Sequence, residues 1–134
     1  MWLVKTEPEA YSWADLEREG RAVWDGVTNP AALKNLRAMQ VGDLVVVYHT
    51  GDERAAVGLA RVARAAYPDP RAGQARLVVV DLEPVRRLPA PVALADIKAS
   101  PLFADSPLVR QGRLSVVPLS AEQAQALQQG RARA

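Results

Sequence analysis

Two short segments hold most of the side chains in this 134-residue chain that could do chemistry: Trp24-Asp25-Gly26-Val27-Thr28-Asn29 and Tyr48-His49-Thr50. A Trp beside Asp, Gly and Asn in a loop sets a stacking plane next to groups that can hydrogen-bond a heterocycle's edge, the combination that holds an unpaired base. Trp24 also fits a second role, a core plug whose indole N–H meets a carbonyl. His49 is the only histidine; it fits either a hydrogen-bonded structural ring or an acid–base group working with Asp25. Tyr48 and His49 face opposite sides of a regular strand, so both line one pocket only where that strand ends or bulges.

Other chemistries lack their residues. The chain has no cysteine, which removes disulfides, iron–sulfur clusters, thiol nucleophiles and zinc fingers. One histidine is too few for an ordinary transition-metal site. Neither GxGxxG nor GxxxxGK[ST] occurs, so dinucleotide and P-loop phosphate binding have no glycine-rich cradle, and no cofactor is expected. The carboxylate pairs Glu7/Glu9, Glu17/Glu19 and Asp52/Glu53 fall in segments that read as solvated, whereas a catalytic pair must face one cleft. Aliphatic runs such as Leu44-Val45-Val46-Val47 fall far short of the ~20 residues of a membrane helix. With no basic start leading into an apolar run, the reading is a soluble, cytoplasmic protein without a membrane partner.

Charge is unevenly spread. The net +2 conceals a first sixty residues with six Lys/Arg against nine Asp/Glu and a remainder with eleven against six. A basic second half can face phosphate. The arginine-rich composition, fourteen of the seventeen cations, also follows from a GC-rich genome or a hot habitat.

Those residues need a scaffold. At this length one domain is expected, spanning residues 1–130 with 131–134 as a frayed tail. Residues 1–5 read as an opening strand stopped by Pro8. Ser12 with Asp15 three positions on signals a short helix closed by Gly20. Residues 23–28 hold too many turn formers for a helix. Asn29 caps, and Pro30 opens, a helix over 30–39, with Ala32, Leu33, Leu36 and Met39 at helical spacing. Residues 44–48 read as a strand covered on both sides, and 55–66 and 76–85 as an antiparallel pair. Pro84, Pro89 and Pro91 are expected to break the chain at the end of that pair. A turn or two of helix over 94–98, irregular chain over 101–106, a last strand over 113–117 and a helix from Ser120 to Gly130 complete the reading. The class is α+β, a mixed barrel with flanking short helices.

The ordered motifs carry a resemblance. Trp2-Leu3-Val4-Lys5-Thr6-Glu7-Pro8, Tyr11-Ser12-Trp13-Ala14-Asp15-Leu16 and Trp24-Asp25-Gly26-Val27-Thr28-Asn29 are followed by Tyr48-His49-Thr50, Val57-Gly58-Leu59-Ala60 and Ala66-Tyr67-Pro68-Asp69. The series closes on Arg110-Gln111-Gly112-Arg113-Leu114-Ser115-Val116. In this order the chain resembles the EVE domain family of the PUA-like superfamily, which also holds YTH and ASCH domains. It departs from the family pattern after Asn29, where Pro30-Ala31-Ala32-Leu33-Lys34 replaces a Y-Q-A-R-N run, and near Arg76, where the family often has a Trp.

The resemblance implies a PUA-like β-barrel whose pocket accepts a modified nucleobase, such as a modified cytosine, in DNA or RNA. By motif position, Trp24 becomes the stacking wall, Asp25 and Asn29 present groups to the base edge, and Tyr48, His49 and Thr50 close another side. Lys5 and Thr6 reach a phosphate or the base carbonyl, and Arg110, Gln111 and Arg113 contact backbone phosphates. The expected partner is single-stranded or base-flipped nucleic acid, because a paired base cannot enter such a pocket. Two other readings stand beside it: an enzyme on nucleic acid or nucleotide using His49 and Asp25, and a protein-interaction module with a Trp/Arg hot spot.

Overall fold

The computed structural model describes all 134 residues. The opening strand β1 (Trp2–Thr6) buries Leu3 and Val4 completely. It lies between β3 (Leu44–His49), to which it is parallel, and β6 (Val116–Pro118), to which it is antiparallel. β3 is buried from Val45 onward, as its unbroken apolar run predicts. The long strands β4 (Ala55–Pro68) and β5 (Val78–Ala93) form the expected antiparallel pair, and the sheet order is β2-β5-β4-β3-β1-β6. This mixed sheet curls into a half-barrel carrying short helices.

Three helix starts follow the local chemistry of their caps. In α1 (Trp13–Glu19) the Ser12 hydroxyl accepts from the Asp15 amide at 3.1 Å while Asp15 Oδ2 accepts from the Ser12 amide at 2.9 Å. Gly20, at φ 74°, ends the helix. In α2 (Pro30–Ala38) the Asn29 side-chain carbonyl accepts from the amides of Ala31 and Ala32, and Ala32, Leu33 and Leu36 face the core. α3 (Leu94–Ala99) continues directly from β5. α5 (Ala121–Gln128) opens with a second reciprocal cap between Ser120 and Gln123.

The prolines of β5 do not break it, contrary to the expectation. β2 (Ala22–Trp24) covers its outer edge only from Val80 to Leu82, so Pro84 lies where no neighbour on that side needs an amide. On the β4 side the register pairs Gly58 with Arg87 but Ala56 with Val92, and the intervening Leu88, Pro89, Ala90 and Pro91 bulge out of the ladder. β2 itself, read as turn-rich chain, is a three-residue edge strand. The segment expected to be irregular holds a 3-10 turn (Pro101–Phe103) and the short helix α4 (Pro107–Arg110), each started by a serine hydroxyl. The last strand is shorter than expected, but the Lys5 amide still donates to the Ser115 carbonyl at 2.9 Å. The tail is held through residue 132: the Arg131 amide donates to the Ala126 carbonyl, and Ala132 is 8% exposed within the core.

One close approach ties α1 to the sheet. A Cβ on Gly58 would lie 2.3 Å from the Trp13 ring, so the absence of a side chain in β4 makes the seat of that indole. Trp13 is 1% exposed, and its Nε1 is a buried side-chain donor without a partner.

Candidate nucleic-acid interface

β2 lies four strands from β1 in the sheet order, yet the curl brings the two to opposite walls of one cavity of about 360 Å³. From β1 come Lys5 and Thr6; from the turn before α1, Ala10 and Tyr11; from β2 and the loop after it, Val23 to Val27; and from the approach to β6, Ser115. The volume is at the small end of ligand sites, roughly 300–1,000 Å³.

Trp24 is 7% exposed, so most of its ring is core and a small part borders the cavity. Tyr11 meets it edge-to-face, with centroids 6.0 Å apart and planes at 85°, an arrangement that fixes both rings. The Tyr11 hydroxyl donates to Glu19 Oε2 at 3.2 Å. Burial first, then the Glu19 charge and this bond, push its ionisation up to about 12, so it remains a neutral phenol at physiological pH. Thr6 Oγ1 donates to the Tyr11 carbonyl at 2.7 Å and thereby sets the turn that carries Tyr11 to the wall.

Lys5 is the floor. Parallel register sets it beside Tyr48, and its ammonium lies 5.8 Å from the Tyr48 ring centroid and donates to the Gly112 carbonyl at 2.9 Å. No carboxylate lies within 4 Å of it, and burial holds its pKa below the usual lysine value. Asp25, exposed on the opposite side, contributes acceptors. The arrangement therefore offers aromatic walls, a donor, an acceptor and the apolar side chains of Ala10 and Val27 around a space fit for one planar ring.

The other expected site residues divide among neighbouring places. Tyr48 and Thr50 border a second cavity of about 210 Å³, with Lys5 as the shared wall. Asn29, Gln111 and Arg113 border a shallow depression of about 320 Å³ that meets the second cavity at Gly112. Asn29 cannot offer its carbonyl to a base while capping α2; only its amide nitrogen remains. Arg110, largely exposed, donates to the Ala104 carbonyl at 3.0 Å and pairs with the exposed Asp105 at 3.2 Å.

His49 departs furthest from expectation. The β3 register shifts between Val47 and Tyr48, as a bulge there requires. His49 nevertheless turns inward, 8% exposed, with Nε2 accepting from the Trp13 amide at 3.0 Å and Nδ1 facing Glu53 Oε1 at 2.8 Å. It does not share the cavity of Asp25, so the acid–base pair does not assemble. Tyr11, Val27 and Ser115 line the cavity between β1 and β2 but lay outside the expected set; only the strand register and the curl bring them there. No group of three or more His, Cys, Asp or Glu side chains could hold a metal, and no helix is long and apolar enough to cross a membrane.

The EVE domain model matches residues 1–129. The chain belongs to the EVE domain family. Thymocyte nuclear protein 1 of Mus musculus is 30% identical, over 91% of this chain and 69% of that protein, and its Homo sapiens counterpart is 29% identical over the same shares. Among solved structures, a protein of Agrobacterium tumefaciens superposes with a TM-score of 0.92 at 36% identity, covering 99% of this chain and 94% of that one. Human THYN1 protein in complex with DNA containing 5-methylcytosine superposes with a TM-score of 0.87 at 27% identity, covering 95% and 94%. This EVE domain also shares its fold with an ASCH protein of Zymomonas mobilis, at a TM-score of 0.59 and 13% identity.

Proposed function

We propose that this EVE domain is a binding module, not an enzyme, that takes a modified cytosine of a nucleic acid strand into the cavity between β1 and β2. The observation that carries the reading is the pairing of Trp24 and Asp25 on one wall with Lys5 on the other. Trp24 and Tyr11 supply ring contact, worth about 1–3 kcal/mol for a base stacked on an aromatic side chain. The Asp25 carboxylate accepts from the exocyclic amine of cytosine, and the Lys5 ammonium donates to the ring carbonyl. Ala10 and Val27 give a methyl group apolar contact. The DNA-bound human relative supports the substrate class. A base paired in a duplex cannot reach such a cavity, so the module takes a single-stranded or flipped nucleotide.

The test is titration of single-stranded oligonucleotides carrying cytosine, 5-methylcytosine or 5-hydroxymethylcytosine with the wild type and Trp24→Ala. The expected result is preference for a modified base in the wild type and its loss, with at least about fivefold weaker binding, in the variant. Equal affinities of the two proteins overturn the stacking role.

A further inference from the structure

The second cavity, behind Lys5, contains cations that the base-binding reading leaves unused. The Leu94 amide donates to the Arg54 carbonyl at 2.8 Å, next to the register pair Ala55 and Ala93, so the turn before β4 and the start of α3 are fastened together. Lys98 lies one helical turn beyond Leu94 on the same face of α3. Arg54 and Lys98 therefore border one cavity, with Lys5 and Tyr48 as its other side.

Neither side chain has a carboxylate within 4 Å, whereas Arg18, Arg21, Arg61, Arg87 and Arg110 all do. Two acids belong to the same turn. Glu53, itself exposed, pairs with His49, and Asp52 and Glu53 both border the adjoining depression, whose other walls include Arg54 and Lys98; neither approaches the two cations within 4 Å. Arg54 is also the one non-glycine residue with positive φ, at 44°, a backbone state in which glycine is at ease and arginine is not. Arg54 and Lys98 thus place two positive charges on a cavity that shares Lys5 with the base site, where an anionic group beside a bound base would sit.

We propose that Arg54 and Lys98 form a phosphate subsite that holds the strand's backbone beside the captured base, with Lys5 as the wall between the two. The assignment rests on the base-binding reading. It adds the turn before β4 and α3 to the backbone contacts expected of the exposed Arg110, Gln111 and Arg113. Tyr48, 3% exposed, closes the floor of this subsite beneath Lys5.

The test follows the affinity of a 5-methylcytosine oligonucleotide and its unmodified counterpart across a salt series. The proteins are the wild type, Arg54→Ala/Lys98→Ala, Trp24→Ala and a distant-cation control, Lys34→Ala on the exposed face of α2. Loss of two phosphate contacts from a single strand lowers the slope of log K against log salt by about 1.4. The double variant is expected to show that drop with its preference for the modified base intact, while Lys34→Ala keeps the wild-type slope. Arg54→Gly, which removes the charge and suits φ 44°, is expected to show half the drop, so misfolding cannot account for it. An unchanged slope in the double variant, or an equal fall in Lys34→Ala, overturns the phosphate subsite. If the slope falls as expected but Trp24→Ala keeps its preference, the base-binding reading fails and the subsite stands. A wild type that binds neither oligonucleotide overturns both.

Discussion

The backbone amide of Trp13 donates to Nε2 of His49 at 3.0 Å, joining the first residue of α1 to the last residue of β3. Because Nε2 accepts here, the ring proton belongs on Nδ1, where it is donated to Glu53 Oε1 at 2.8 Å. Both nitrogens are thereby committed, and the only imidazole in the chain serves to dock a helix. The same helix carries Tyr11 ahead of it, so the bond stands behind one wall of the cavity between β1 and β2.

Replacing that acceptor has a defined consequence. His49→Ala leaves the Trp13 amide buried without a partner, which costs about 1–3 kcal/mol. Urea unfolding is expected to show a loss of that size, with base preference retained by the protein that remains folded. Unchanged stability contradicts the docking role, and lost preference in a fully folded variant returns His49 to the ligand site.

Gly58 tests the other attachment of α1. Its Cβ position lies 2.3 Å from Trp13 ring atoms, and the nearest neighbour is the rigid indole of a buried side chain. Gly58→Ala is expected to lower stability by at least about 1–3 kcal/mol, the usual range for overpacking. Paired with Trp13→Phe, which narrows the ring and removes the unpartnered Nε1–H, the combined loss is expected to fall short of the sum of the two single losses. Strict additivity in denaturant titrations contradicts the contact.

How far the sequence carries depends on the range of the interaction. Ser12, Asn29 and Ser120 cap helices as their spacing announces, because a cap reads three residues of chain. Pro89 and Pro91 mislead, since whether a proline breaks a strand depends on which edge has a partner, and that is a property of β2 and β4. Lys5, Thr6, Trp24 and Asp25 meet in one cavity, but their company there of Tyr11 and Ser115 follows from the curl of six strands. Arg110 reads as a free cation until Asp105 and the Ala104 carbonyl are folded against it.

Asp81 supports β2, and pH reports on it. It is 6% exposed, accepts from the Tyr67 hydroxyl at 2.5 Å and pairs with Arg21 at 3.0 Å, one residue before β2 begins. The bond to Asp81 is the main reason that Tyr67 ionises above its ordinary value of 10.0. A raised tyrosine pKa means that the contact contributes fully below pH 10 and is lost as pH rises through the folded-state value. In Asp81→Asn the Tyr67 step of an ultraviolet absorbance titration is expected to move down toward 10. Trp24, paired with Val80 across β2 and β5, is expected to show altered fluorescence as its strand loosens. A titration superimposable on the wild type contradicts the assignment.

Lys5 sets stability against binding. Its ammonium is half-buried with no carboxylate nearby, and desolvation lowers its pKa from 10.5. In the pH range between that lowered value and 10.5 the unfolded chain holds more protons than the folded one, so stability from this group rises with pH. At neutral pH the charge is a burden on the ligand-free protein, eased in part by the bond to the Gly112 carbonyl and, in the proposed complex, by an electronegative group of the base. Lys5→Met keeps the length of the stem and removes the charge; the Gly112 carbonyl it releases is on an exposed residue and can meet water. Thermal melts are expected to find the free variant as stable as the wild type or more so, without the alkaline rise, while its affinity for the oligonucleotide falls about tenfold or more, as for loss of a charge-assisted bond. The opposite pattern, a destabilised protein that binds as well as the wild type, makes Lys5 a structural lysine and removes the floor from the site.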